Sequence, residues 1–249
     1  MSLIAYNKVR KSFGSDVIYR DFNLEINSGE VVGIIGPSGV GKTVAIKMLI
    51  GLVPIDDGEI FFNDKKFTKN SVELDFMPLR KEISMVFQGA ALFDSMTVED
   101  NVAYPLFELG GFTRREVKDI VSEKLELVGL LQARGKKPSE LSGGMKKRVG
   151  LARAIATNPS VILYDEPTAG LDPINTARIT ALIEKLQDEI KCTSVLVTHD
   201  IPFINRLSKK IAFIGNNRVL SVDNIDELRK SEIEAVKLFF DSYRFYIKG

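Results

Sequence analysis

Apolar and polar residues alternate through Phe22-Asn23-Leu24-Glu25-Ile26-Asn27, the period of a strand with one buried face. Leu3 to Val9 also reads as a strand, so a half-exposed antiparallel piece opens the chain. The pattern changes after the turn residues Ser28-Gly29-Glu30. Val31-Val32-Gly33-Ile34-Ile35 is a continuous apolar run suited to a strand buried on both faces, and Val44 to Leu49 reads as a helix stopped by Gly51 and Pro54. Gly58 to Asp64 predicts a strand entering a turn, and Ile83 to Phe87 predicts another. From Thr97 to about Leu131 the period becomes helical, with Val117, Ile120, Val121, Leu125, Leu127 and Val128 spaced for one or two buried faces. A helix is expected from Leu141 to about Ala156, a buried strand over Val161-Ile162-Leu163-Tyr164, a helix from Ile174 to Ile190, and a further apolar strand from Thr193 to Thr198. Lys210 to Ile214 and Arg218 to Val222 flank Gly215-Asn216-Asn217 as a closing hairpin, and residues 223–249 form a helical tail. The alternation of buried strands and helices indicates an α/β protein.

The ends of the buried runs carry the candidate chemistry. Gly36-Pro37-Ser38-Gly39-Val40-Gly41-Lys42-Thr43 joins the first run to its helix and fits Gly, four residues, Gly-Lys-Ser/Thr without a mismatch. Glycines there let successive backbone N–H groups curl around a polyphosphate at the helix N-terminus, where the dipole favours anions. Lys42 is expected to reach the β- and γ-phosphates and Thr43 to ligate Mg²⁺. The run from Val161 ends in the adjacent carboxylates Asp165 and Glu166, where open α/β sheets place ligands. Asp165 would hold Mg²⁺ through water, and Glu166 would polarise an attacking water. The run from Thr193 ends at His199, the single histidine, followed by Asp200. Ser142-Gly143-Gly144 opens a helix, either as a plain Ser-capped N-terminus or, with several N–H groups left free, as a second anion site on the same chain. Phe13, within Lys11-Ser12-Phe13-Gly14, is expected in a polar loop, where a planar base could stack on it.

Composition narrows the class. The 249 residues carry 34 Lys plus Arg against 33 Asp plus Glu, and a net charge of +1 offers no footprint for nucleic acid. Cys192 is the one cysteine, which excludes an intramolecular disulfide, and Met-Ser-Leu-Ile opens the chain without a basic segment and long apolar core, so a cytosolic protein is expected. No apolar run nears the ~20 residues of a membrane span, so any membrane involvement is expected through another subunit. The tail gathers the aromatics Phe239, Phe240, Tyr243, Phe245 and Tyr246, and Leu228, Val236, Phe239, Phe240, Tyr243 and Ile247 fall mostly on one helical face. Such a stripe demands burial, either on its own domain or on a second copy of the chain.

Taken in order, these motifs resemble the ATP-binding subunits of ABC transporters over residues 1–222. The resemblance implies a P-loop NTPase of the ABC type: a mixed sheet core, an antiparallel β subdomain, a helical subdomain over about 89–156, and a helical extension at 223–249. Phe13 matches the aromatic that stacks on adenine. Gly36, Pro37, Ser38, Gly39, Val40, Gly41, Lys42 and Thr43 match Walker A, and Gln88 matches the glutamine that touches Mg²⁺ and reports to the membrane subunit. Leu141 to Met145 matches the signature, with Met145 where glutamine is usual; Val161 to Glu166 matches Walker B and the catalytic glutamate. Asp172 matches the D-loop aspartate and His199 the switch histidine at the γ-phosphate. The implied activity is hydrolysis of ATP with Mg²⁺, with Glu166, His199 and Lys42 catalytic and Thr43, Gln88 and Asp165 at the metal. Ser142, Gly143, Gly144 and Asp172 would reach the ATP held by the other member of a head-to-tail homodimer. Within the family, residues 87–98, residues 164–174 and the LSGGM signature resemble the branch serving Mce-type phospholipid transport, including the maintenance-of-lipid-asymmetry system. That implies integral-membrane permease partners, an Mce-type lipid-binding protein, and a peripheral place on the cytoplasmic face of the inner membrane. Importers of other small solutes share much of the same stretch, and an ABC ATPase of the cell-division type shares every core motif.

Overall fold

The structure, a computed structural model, describes residues 2–248 and, within them, all side chains except those of Ser221 and residues 243–248. Strands and helices are numbered along the chain. The alternating opening residues form a hairpin in which β1 (Ser2–Phe13) pairs antiparallel with β2 (Asp16–Asn27), Ile4 opposite Ile26 and Tyr6 opposite Leu24. β4 (Asp57–Phe62) takes the other edge of β1, and β5 (Lys65–Phe67) follows it, giving the order β2-β1-β4-β5. One expectation is corrected here. Lys11, Ser12 and Phe13 are not loop but the end of β1, with Phe13 paired to Asp16 across the turn. The polar residues continue the strand because each has a tertiary partner: Lys11 Nζ donates to Asp56 at 2.9 Å, and Ser12 N–H donates to the same carboxylate at 2.6 Å.

Residues 1–80 and 193–249 make one compact unit, and residues 81–192 make a second. In the first, β3 (Val31–Ile35) lies between β8 (Thr193–Val197) and β9 (Lys210–Gly215), parallel to both, and β10 (Arg218–Asp223) returns antiparallel on β9. These apolar runs are buried, as unbroken runs require: Val32, Ile35, Leu196, Val197 and Ile211 have no exposed surface. α1 (Lys42–Leu49) follows β3, and α7 (Ile201–Leu207) follows β8. The tail forms α8 (Ile225–Lys230) and α9 (Glu234–Lys248). Leu228, Val236 and Phe240 are buried within the unit, and the Phe239 ring meets Phe213 of β9 edge-on at 5.3 Å. The rest of the stripe, Tyr243 and Ile247, and the tail aromatics Phe245 and Tyr246 lie outside the described side chains.

In the second unit β6 (Ile83–Val86) pairs parallel with β7 (Val161–Asp165). The long helical stretch is two helices, α3 (Val98–Leu109) and α4 (Arg114–Leu127), parted by Gly110 and Gly111 at φ 72° and 85°. Both helices begin with reciprocal caps, Thr97 with Asp100 and Thr113 with Glu116, which fix the restart of the chain after the break. α5 (Gly143–Ile155) packs Val149 and Ala152 against Val102 and Leu106 of α3 and Val121 and Leu125 of α4 in one apolar core. α6 (Pro173–Ile190) completes the unit. The hydrophobic pattern does not announce α2 (Glu73–Glu82), which contains Pro78, or α7, whose seven residues span too few turns for a period to register.

Candidate functional site

β3 delivers the chain into the phosphate loop, and the loop's glycines are required by geometry. Gly36 has φ 151°, and a Cβ there would lie 2.3 Å from the Ile214 carbonyl oxygen; Gly41 has φ 101°, and a Cβ would lie 2.4 Å from Ile18 Cγ2. Only glycine fits either position. Pro37, Ser38 and Gly39 are exposed and Val40 is half-buried. Lys42 is buried at the first residue of α1, its ammonium donating to the carbonyls of Gly36 at 3.0 Å and Pro37 at 2.9 Å. Thr43 stands beside it in the first turn.

Two tyrosines brace the loop and the helix that follows it. The Tyr19 hydroxyl donates to Gly41 O at 2.8 Å, and the Tyr6 hydroxyl donates to Ala45 O at 2.9 Å. Both rings pack on Phe22, at 4.4 Å and 5.0 Å between centroids. Burial pushes both phenols well above the usual range, so they remain donors at any ordinary pH. Sequence reasoning missed this pair, since nothing in the spacing of two strand tyrosines points to a loop more than 20 residues away.

His199 follows β8, the parallel neighbour of β3, so it emerges at the same sheet edge as the phosphate loop. It is exposed, and its backbone is held by the next residue: Asp200 N–H donates to Thr198 Oγ1 at 3.0 Å, and the Asp200 carboxylate caps α7 by accepting from Phe203 N–H at 3.0 Å. Phe13 is 49% exposed, and Lys11 Nζ lies 5.0 Å from its ring centroid. Burial alone would raise the Asp56 carboxyl, but the hydrogen bonds from Lys11 and Ser12 outweigh it and hold the group below the usual range, so the clamp stays ionised.

In the second unit, parallel neighbours β6 and β7 bring Gln88 and the Asp165-Glu166 pair to one edge. Asp165 is buried, and Glu166 is half-buried with φ 46°, a left-handed backbone that costs a non-glycine residue about 1–3 kcal/mol. Lys147 of α5, buried, donates to the carbonyl of Gln88 and, at 3.3 Å, to that of Glu166. Burial lowers the Lys147 ammonium from its ordinary range, opposed by the Glu166 and Asp165 carboxylates. Arg153, two turns on, donates to the carbonyls of Ala90 and Ala91, both at 2.7 Å. Ser142 caps α5, accepting from Met145 N–H at 3.3 Å, and is exposed with Gly143. Asp172 caps α6, accepting from Asn175 N–H at 2.9 Å and Nδ2 at 2.5 Å, and those bonds hold its carboxyl below the usual range. The two caps are neighbours: a Cβ on Gly144 would lie 3.2 Å from Asn175 Oδ1.

The expected residues thus fall into two sets, Phe13, residues 36–43 and His199 in the first unit, and Gln88, residues 142–144, Asp165, Glu166 and Asp172 in the second. Among the described residues no cluster of three or more His, Cys, Asp or Glu side chains exists to cage a metal. One buried carboxylate, Asp165, suits Mg²⁺ without such a cage, since that ion keeps several waters and takes its remaining ligands from phosphate oxygens. No helix among the described residues is long and apolar enough to cross a membrane.

Residues 19–169 match the family profile described as ABC transporter. The chain is 39% identical over 226 residues to the methionine import ATP-binding protein MetN of Clostridioides difficile, covering 91% of this chain and 70% of that protein. It is 36% identical over 231 residues to the intermembrane phospholipid transport system ATP-binding protein MlaF of Haemophilus influenzae, covering 93% and 87%. Its fold is similar to that of an ATP-binding cassette solved as a dimer in a post-hydrolysis state with ADP and Pi, at a TM-score of 0.80 and 31% identity over 89% of this chain and 98% of that one. ATPase domains of this kind bind ATP with Mg²⁺ and work as dimers with membrane permease partners. The strand-loop-helix around Lys42, the carboxylates ending β7 and the matched profile lead to one assignment: the chain belongs to the ABC transporter family, as an ATP-binding, ATP-hydrolysing subunit.

Proposed function

We propose that this ATPase powers phospholipid transport through a membrane permease paired with an Mce-type lipid-binding protein, from the cytoplasmic face of the inner membrane. Residues 1–222 form the cassette in this reading and 223–249 an extension. Lys42 and the N–H groups of residues 36–43 hold the β- and γ-phosphates, Phe13 stacks on the adenine, and Thr43, Gln88 and Asp165 supply the protein's oxygens to Mg²⁺. The metal's part is to neutralise charge developing on the phosphate oxygens. Glu166 accepts a hydrogen bond from the attacking water and orients it in line with the γ-phosphorus, while His199 donates to the γ-phosphate as charge builds there. Ser142, Gly143, Gly144 and Asp172 meet the ATP of the partner copy, so ATP closes a homodimer and hydrolysis lets it open. The observation that carries the hydrolytic reading is Glu166: it directly follows the buried metal-side carboxylate Asp165 and is held in a constrained backbone.

Replacing that carboxylate separates binding from chemistry. Glu166→Gln is expected to keep ATP affinity and accumulate an ATP-bound dimer while losing at least about 100-fold in turnover. Steady-state hydrolysis near the parental rate would remove Glu166 from the mechanism.

Support for phospholipid as cargo is the methionine at signature position 145 together with similarity to the phospholipid-system protein. The second reading, import of a small solute, is favoured by the comparable similarity to the methionine import protein. Isolation of the chain with its membrane partners, followed by mass spectrometry of co-purified lipid and ATPase assays with candidate solutes, discriminates them. Enriched phospholipid with an Mce-type subunit supports the first, and ATPase stimulation by an amino acid with no such subunit supports the second.

A further inference from the structure

The phosphate-binding motifs leave Lys147, a buried cation of the second unit, without a role. Lys147 is 7% exposed and reaches two backbone carbonyls that belong to two different motifs, Gln88 and Glu166. It does not stand alone on its helix. Lys147, Gly150 and Arg153 recur every three residues along α5 and so share a face. At Gly150 a Cβ would come 3.3 Å from Ala90 Cβ, and Arg153 holds the carbonyls of Ala90 and Ala91. Ala90 and Ala91 are themselves left-handed, at φ 62° and 47°. One face of the signature helix therefore grips the segment after Gln88 at three successive contacts, and Lys147 extends that grip to the end of β7.

We infer that Lys147 is a positioning residue for hydrolysis, tying the carbonyls of Gln88 and Glu166 into one body so that the Glu166 carboxylate is aimed at its water. The reason lies in the Glu166 backbone. Left-handed φ is disfavoured for a residue with a Cβ and persists only where neighbouring contacts over-determine it. The Glu166 carbonyl accepts from Ala169 N–H at 3.2 Å as well as from Lys147, and the first of these is a bond internal to the turn. Lys147 is a contact from another element, and it links the turn to the residue expected to sense the permease. A shift of the Gln88 segment then carries Glu166 with it. This inference rests on the assignment of Glu166 as the water-orienting carboxylate.

The test uses the full-length dimeric protein, with ATP affinity measured by equilibrium binding and kcat by phosphate release. Lys147→Met keeps the aliphatic stem and removes all donors. It is expected to lower kcat by about 100-fold, the scale of a displacement of about 1 Å in a catalytic group, while ATP affinity stays within about threefold. Lys147→Arg, which restores donors and charge, is expected to recover most of the rate. Added to Glu166→Gln, Lys147→Met is expected to lower the residual rate no further, because it acts through Glu166. Should Lys147→Met fail to fold, Lys147→Gln supplies an uncharged donor for the same comparison, with kcat intermediate between parent and Glu166→Gln. A parental kcat in Lys147→Met overturns the inference, as does a loss of ATP affinity in step with kcat that Lys147→Arg does not relieve. If instead Glu166→Gln alone hydrolyses ATP at the parental rate, the assignment of Glu166 falls and the inference falls with it.

Discussion

Phe13 is half exposed, although an aromatic side chain gains from burial, and the structure explains how it is kept there. Lys11 sits over the ring, Asp56 fixes Lys11, and the same carboxylate fixes the backbone at Ser12. In the proposed stacking role, an orientation set in advance means that the ring loses little entropy on meeting a base. Phe13→Ala is accordingly expected to weaken ATP binding by about 1–3 kcal/mol, measured by titration, with little change in melting temperature. Tyr6, the other aromatic of β1, cannot substitute for it, since it is 2% exposed and its hydroxyl is spent on Ala45 O. Tyr19 acts from the opposite side of the problem, supporting the loop rather than the ligand. Tyr19→Phe removes one neutral hydrogen bond to Gly41 O and should cost about 1 kcal/mol in chemical denaturation. An unchanged denaturation midpoint would mean that Gly41 O finds another donor.

Elements place these residues at strand ends. Two parallel pairs, β3 with β8 and β6 with β7, each end in candidate chemistry, because the C-terminal ends of parallel strands open onto loops and helix N-termini. Segments following those ends need their own fastening, and Asn101 provides it after β6. It has no exposed surface, accepts from Phe93 N–H at 2.8 Å, and donates to the carbonyls of Phe93 at 3.1 Å and Thr97 at 2.9 Å. Asn101→Ala removes the acceptor of the Phe93 N–H and the donor to the Phe93 and Thr97 carbonyls, and a loss of about 1–3 kcal/mol in unfolding free energy is expected. Hydrogen exchange should show the segment from Phe87 to Met96 opening more readily in that variant, and uniform exchange across it would count against this role. The helices follow the same economy of local signals, with glycines parting α3 from α4 and a cap restarting the second.

At the scale of the whole molecule the aromatic tail is resolved in part toward its own domain. Leu228, Val236 and Phe240 are buried in the first unit and Phe239 meets Phe213, so the beginning of the tail is part of that unit's core. Phe240→Ala is expected to cost about 3–5 kcal/mol in stability, read as a lowered melting temperature that added ATP does not abolish. A variant that melts like the parent would show that the tail is not a structural part of the unit and would reopen a role for it between copies of the chain. The dimeric working state of ABC ATPases adds a condition at this scale: one chain carries two separate helix N-termini suited to phosphate, at α1 and α5, and a head-to-tail pair would use both at each nucleotide.

The sequence by itself determined the α/β class and the order of the buried strands, and it named the candidate site residues from Phe13 to His199. It could do so because a phosphate loop is a local device: the glycines, Lys42 and Thr43 act within eight consecutive residues, and apolar runs mark the strands that present them. The end of β1 was not legible, since Lys11 and Phe13 read as loop until Asp56, 45 residues from Lys11, is brought beside them. Tyr6, Tyr19, Asn101, Lys147 and Arg153 escaped for a related reason. Each acts by a hydrogen bond to a backbone carbonyl or N–H, a partner with no residue identity for a motif to record. Lys147 reaches across 59 residues to Gln88, and Arg153 across 63 to Ala90. Only folding decides which buried donors meet which carbonyls, because an unpaired polar group inside the protein is too costly to keep and must find whatever partner the packed core puts within reach.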